Sequence, residues 1–75
     1  MTMLSPLQDY AATIEALIFA SDRPIREREL IVHLPENMDL AEVIAAVALR
    51  YDATSGIELC QVGDGWAFRT KAEIA

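Results

Sequence analysis

The sequence predicts an α+β fold in which three short amphipathic helices precede a C-terminal β-hairpin. Three observations predict it. Apolar residues recur at helical spacing through most of the chain and then switch to a two-residue alternation. Helix-start signals stand at Ser5-Pro6 and at Asp39. The turn Gly63-Asp64-Gly65 separates two runs rich in β-branched and aromatic residues, which is a strong local hairpin signal. Helices first and a hairpin last is the layout of a winged helix-turn-helix.

The first helix is expected over residues 6–20. Ser5 can serve as N-cap, Pro6 takes the first helical position, and Gln8 completes an S-x-x-Q capping box. Leu7, Tyr10, Ala11, Ile14, Leu17 and Ile18 follow the helical period and form one inward stripe. Phe19 falls about 100° from the centre of that stripe, beside Ala12 and Glu15. It belongs either to a wide buried arc or to a surface that meets a partner.

Ser21-Asp22-Arg23-Pro24 ends this helix, because Pro24 restricts Arg23 to extended conformations. Ile25 leads into a second helix over 26–34, which stops before Pro35. Leu30, Ile31 and Leu34 form its apolar side, and Arg26, Glu27, Arg28 and Glu29 are expected to face water. His33 falls in its last turn, where the helix C-terminus favours an exposed imidazole. With one cysteine and one histidine in the chain, His33 lacks companions for a metal site, and none is expected.

The third helix is expected over 39–53. Asp39 is its N-cap and Glu42 the capping-box partner. Leu40, Val43, Ile44, Val47 and Tyr51 line its inward stripe. Ala41, Glu42, Ala45, Ala46, Leu49 and Asp52 form the opposite face. In a winged helix this element enters the DNA major groove, where readout needs Arg, Lys or Asn. Here only Arg50 is basic, and the small apolar face suits a protein helix instead.

Strands are expected over 57–62 and 66–70. Ile57 and Leu59 point to one face and Glu58 to the other, while Trp66 and Phe68 share a face opposite Arg69. A lone hairpin is marginal in water, so its apolar face needs cover. Trp66 and Phe68 are expected against the core beside Leu17 and Val47. At the end of the chain Thr70-Lys71-Ala72-Glu73, with Ile74 behind it, reads as the capping box of a further helix.

The chain of 75 residues is one domain with 53% hydrophobic residues, more than so small an interior hides. An exposed apolar patch that serves a partner is therefore expected. Net charge is −6 and the sequence pI is about 4.5, which disfavours phosphate-backbone binding. Cys60 is the only cysteine, consistent with a reducing compartment. No signal peptide or membrane span is expected, since Ala16-Leu17-Ile18-Phe19-Ala20 is far too short to cross a bilayer. No nucleophile–base pair or ligand cluster is visible, so neither an enzyme, nor a cofactor, nor a small-molecule substrate is expected. Apolar residues left outside the helical stripes, namely Phe19, Ala45 and Leu49, are the candidates for self-association. The alternative function is a DNA-binding transcription regulator, with Arg50, Arg69 and Lys71 as phosphate contacts.

Two segments carry a family resemblance. Ile14-Glu15-Ala16-Leu17-Ile18-Phe19-Ala20-Ser21-Asp22-Arg23-Pro24-Ile25 resembles the pattern I-E-A-L-L-F-A-S-x-x-P-L near the start of ScpB, the bacterial segregation and condensation protein B. Gly56-Ile57-Glu58-Leu59 together with Gly63-Asp64-Gly65-Trp66-Ala67-Phe68-Arg69-Thr70 is similar to that family's G-I-E-L and x-G-G-[YW]-x-[LF]-R-T blocks. The chain departs from the family at Arg26, where Ser or Thr is usual, at Asp64, where glycine is common, and across residues 31–39. The resemblance covers about residues 10–75. It implies a non-catalytic subunit of the SMC–kleisin condensin complex, cytoplasmic and associated with the nucleoid. It further implies a homodimer that binds the kleisin ScpA and, through it, the SMC ATPase heads. Specific nucleic-acid binding by this domain is not implied, and a second winged-helix domain is expected beyond residue 75.

Overall fold

The computed structural model describes residues 6–71, so the expectations for Ser5 and for Ala72, Glu73 and Ile74 lie outside the described residues. The order of elements is α1 (Pro6–Ala20), β1 (Ile25–Arg26), α2 (Glu27–Ile31), α3 (Leu40–Ala48), β2 (Ile57–Val62) and β3 (Gly65–Thr70). The strands form one antiparallel sheet in the order β1-β3-β2. This is an α+β winged helix, with the hairpin β2–β3 as its wing.

The inward stripes of the helices make the core. Ala11, Ile14 and Ile18 of α1 meet Leu30 of α2 and Leu40, Val43, Ile44, Ala46 and Val47 of α3. Leu17, Tyr51, Leu59, Trp66 and Phe68 pack against this cluster while remaining half-buried. Ala46, expected on the outer face of the third helix, is buried. Its methyl is small enough to fit where the stripe broadens between Val43 and Val47.

Three element boundaries differ from the sequence reading. First, a two-residue strand precedes the second helix. Ile25 pairs with Trp66 and Arg26 with Gly65, so the hairpin has a third strand at its edge. Gly65 eases that close approach, because a Cβ on it would stand 3.0 Å from the Ile25 carbonyl oxygen. Second, α2 ends at Ile31 rather than residue 34. His33 and Leu34 continue the chain in tighter turns, donating to the carbonyls of Leu30 and Ile31, and His33 is exposed. Third, α3 ends at Ala48 rather than residue 53. Arg50 and Tyr51 bond back three residues, to Val47 and Ala48. Asp52 then captures the backbone, its Oδ1 accepting the Thr54 N–H at 2.9 Å and the Thr54 hydroxyl at 2.6 Å. Asp side chains compete with helical hydrogen bonds in this way. Those two bonds hold the Asp52 carboxyl below its ordinary value.

The wing turns through Gly63 and Asp64. Gly63 carries the positive φ, 61°, at the first turn position, the pattern of a II′ turn. The Asp64 carbonyl accepts the Glu27 N–H at 2.9 Å. The turn thus satisfies one of the free donors at the start of α2, where Arg26 supplies no side-chain cap. The Glu29 carboxylate reaches back to the Arg26 N–H at 3.0 Å, the acidic half of a capping box.

Candidate interaction surfaces

In a winged helix that reads DNA, α3 and the wing present cations to phosphates. The residues placed for that role are Arg50, Arg69 and Lys71, and each is engaged within the domain. Arg50 follows α3, pairs with the Glu15 carboxylate of α1, and donates Nη2 to Gln8 Oε1 at 3.1 Å. Glu15 also accepts the Tyr51 hydroxyl, and this bond pushes the Tyr51 phenol above its ordinary value. Arg69 Nε donates to Glu58 Oε2 at 2.9 Å across the hairpin. The Arg69 guanidinium holds Glu58 below the usual carboxylate range, and Glu58 in turn raises Arg69. Lys71 Nζ donates to the Asp52 carbonyl. The remaining arginines, Arg23, Arg26 and Arg28, gather around a shallow depression with Glu29. Arg23 pairs with Glu29 at 3.5 Å. Glu29 lies below its ordinary range, held by the Arg26 N–H first and by Arg23 second.

The apolar candidates are exposed. Leu49 is 83% accessible and Phe19 65%. Ala45 and Leu49, four residues apart, lie on one side of α3. Phe19 lies elsewhere. Its ring stands 5.8 Å from Phe68, which stands 4.9 Å from Tyr51, and both ring pairs are tilted. Such pairs contribute roughly 0.5–1.5 kcal/mol beyond area burial. Phe19 and Phe68 flank a depression of about 300 Å³ with Ile18 and Pro24. Ala45 instead lines a larger trough of about 600 Å³ with Ile31, Met38, Leu40, Ile44 and Trp66. The structure therefore joins Ala45 with Leu49 but not with Phe19.

Two carboxylates that hold elements of the fold together escaped the sequence reading. Glu15, noted only as a neighbour of Phe19, ties α1 to the end of α3. Glu27, assigned to a water-facing charge run, is half-buried and accepts the Trp66 indole N–H at 2.8 Å. Each pairing joins residues far apart in sequence, and no local signal marks it. Cys60 lies half-buried on β2, and burial pushes its thiol above the ordinary value. Among the described residues, no group of three or more His, Cys, Asp or Glu stands together to hold a metal ion. No helix among them is long and apolar enough to cross a membrane.

Fold and surface together define a winged-helix domain whose placed cations are engaged by its own groups, Arg50 and Arg69 by carboxylates and Lys71 by a backbone carbonyl. Residues 12–75 match the family described as Segregation and condensation complex subunit ScpB. The chain belongs to that family, one of chromosome segregation and condensation. It is also similar in structure to a conserved hypothetical protein from Chlorobium tepidum, at 25% identity and a TM-score of 0.75. That likeness covers 91% of this chain, which spans only 44% of the Chlorobium protein. No curated protein matches the chain.

Proposed function

We propose that this domain acts as a non-catalytic, protein-docking part of a bacterial SMC–kleisin condensin complex, in the cytoplasm at the nucleoid. Its partners are a ScpA-like kleisin, through it the SMC ATPase heads, and a second copy of this chain. A second winged-helix domain follows it in the full-length subunit. The observation that carries this reading is the internal engagement of Arg50, Arg69 and Lys71. A recognition helix and wing without free cations, on a chain of net charge −6, are poorly made for phosphates. Self-association uses Phe19, Ala45 and Leu49. Covering one side chain such as Phe19 contributes roughly 1.5–3 kcal/mol by area transfer, and a two-fold interface counts it twice.

Gel shifts with one duplex and its scrambled counterpart test the DNA side, and retention of a ScpA-like kleisin on the immobilised chain tests the protein side. The expected result is no preference between duplexes and a retained kleisin. Micromolar or tighter binding that favours one duplex at physiological salt would overturn the reading and restore the transcription-regulator alternative.

A further inference from the structure

The trough between α2, the start of α3 and the wing is unused by the fold. Its lining is mainly apolar, with Ile31, Met38, Leu40, Ile44, Ala45 and Trp66, and carries Glu27 and Asp39 beside them. Ile31 is 52% exposed, although the helical period had assigned it to the core side. An open trough of this kind fits a polypeptide better than an enclosed small molecule.

The backbone around it decides the conformation of its occupant. β3 passes beneath the trough, and it is already paired on both sides, by β1 and by β2. At Gly65 and Trp66, where β3 meets the trough, neither edge of β3 is therefore free to extend the sheet. An extended segment laid over Gly65 and Trp66 would find no backbone partner in β3 for its own N–H and C=O groups. A helix satisfies those groups internally.

The charge decides the rest. Glu27 and Asp39 stand among the lining residues, and no Lys, Arg or His does. Glu27 holds the Trp66 indole and Asp39 holds the Ala41 N–H, at 2.8 and 3.1 Å. Each carboxylate keeps further acceptor sites for an incoming donor. We infer that this trough docks an amphipathic helix of a partner protein, its apolar stripe against Ile31, Met38 and Trp66 and its flanks cationic. The inference rests on the protein-docking reading and adds the kind of segment received. Met38 supplies an adaptable wall, and Trp66 an aromatic anchor of the type that dominates interface energetics.

Trp66 is the only tryptophan of the chain, so its fluorescence reports this site alone. The probe is a synthetic helix of about 18 residues, long enough to be helical when bound, with leucines at i, i+3, i+4 and i+7 and lysines elsewhere. Two control peptides carry the same leucine stripe with glutamates, and the same composition with the stripe scrambled. The expected result is a saturable shift of Trp66 emission with the first peptide only. Ile31→Asp is expected to abolish it. Gln61→Arg, at an exposed lining position, is expected to weaken it about tenfold, and decides the matter if Ile31→Asp does not fold. Equal response to the scrambled peptide, or unchanged binding by the folded variants, would overturn the inference. Neither substitution touches Phe19, Ala45 or Leu49. Ala45 lines the trough as well, so the mass of the protein and of both variants is measured in parallel, and a lost shift at unchanged mass reports on the trough separately from self-association.

Discussion

The helical half and the wing are held by different forces. Every buried apolar side chain among the described residues comes from a helix: Ala11, Ile14 and Ile18 from α1, Leu30 from α2, and Leu40, Val43, Ile44, Ala46 and Val47 from α3. The strands contribute only half-buried side chains, Leu59, Trp66 and Phe68 among them. Directed hydrogen bonds hold the wing instead. Trp66 is fastened to Glu27, the Asp64 carbonyl to the Glu27 N–H, and the Lys71 N–H to the Gly56 carbonyl. Area burial stabilises broadly and tolerates small shifts, whereas a few hydrogen bonds fail one at a time. The wing is therefore expected to open locally at lower cost than the helices.

Removing apolar volume from the helical half should have the largest effect. Ile14→Ala creates a cavity at the centre of the cluster and is expected to cost about 2–5 kcal/mol in urea unfolding. A loss below about 1 kcal/mol would mean that α1 is held by something other than burial. Next is the polar seam between α1 and the end of α3. Glu15→Ala leaves Arg50 and Tyr51 without their carboxylate, at an expected cost of about 1–2 kcal/mol for partly exposed groups. It should also return the Tyr51 titration toward its ordinary value, measurable by absorbance.

A smaller effect, confined to the wing, sharpens the comparison. Glu27→Ala is expected to cost about 0.5–1.5 kcal/mol, to speed amide exchange in β3, and to leave exchange in α1 unchanged. Equal acceleration in both would show that the two regions unfold as one unit. Acid should have the mildest effect. Glu29, Asp52 and Glu58 all titrate below their ordinary values of 4.5, 3.8 and 4.5 in the folded chain. Each binds fewer protons folded than unfolded, so its contribution is present above those values and is lost as pH falls through the lowered folded ones. The melting temperature should decline gradually through that acid range, and Glu58→Gln should make the decline shallower. A flat melting temperature would show that these pairs contribute nothing.

The same division governs what the sequence discloses. The stripes of α1 and α3 were legible because burial leaves a periodic trace, and Phe19 and Leu49 stood out as apolar residues off that trace. The hairpin was legible from its glycines and alternation. β1 was not, because two residues carry no periodicity and its existence depends on Gly65 admitting the Ile25 carbonyl. The early end of α3 was hidden because the apolar stripe runs on to Tyr51, while the backbone at Arg50 and Tyr51 already bonds back three residues instead of four. Glu15 and Glu27 looked like solvated charges, since their partners Arg50, Tyr51 and Trp66 meet them only in three dimensions. Of the candidate surface, Phe19, Ala45 and Leu49 were visible, whereas the exposure of Ile31 and the internal pairing of Arg50, Arg69 and Lys71 required the fold.

The central claim is that the outward apolar residues of this domain meet protein. Light scattering over a concentration series tests it most directly, on the chain itself beside Phe19→Glu and Leu49→Glu. The expected mass rises from 8.3 kDa toward twice that value with concentration. Either substitution should return it to the monomer with unchanged circular dichroism. A chain that stays at the monomer mass throughout, or variants that associate as well as the parent, would contradict the claim.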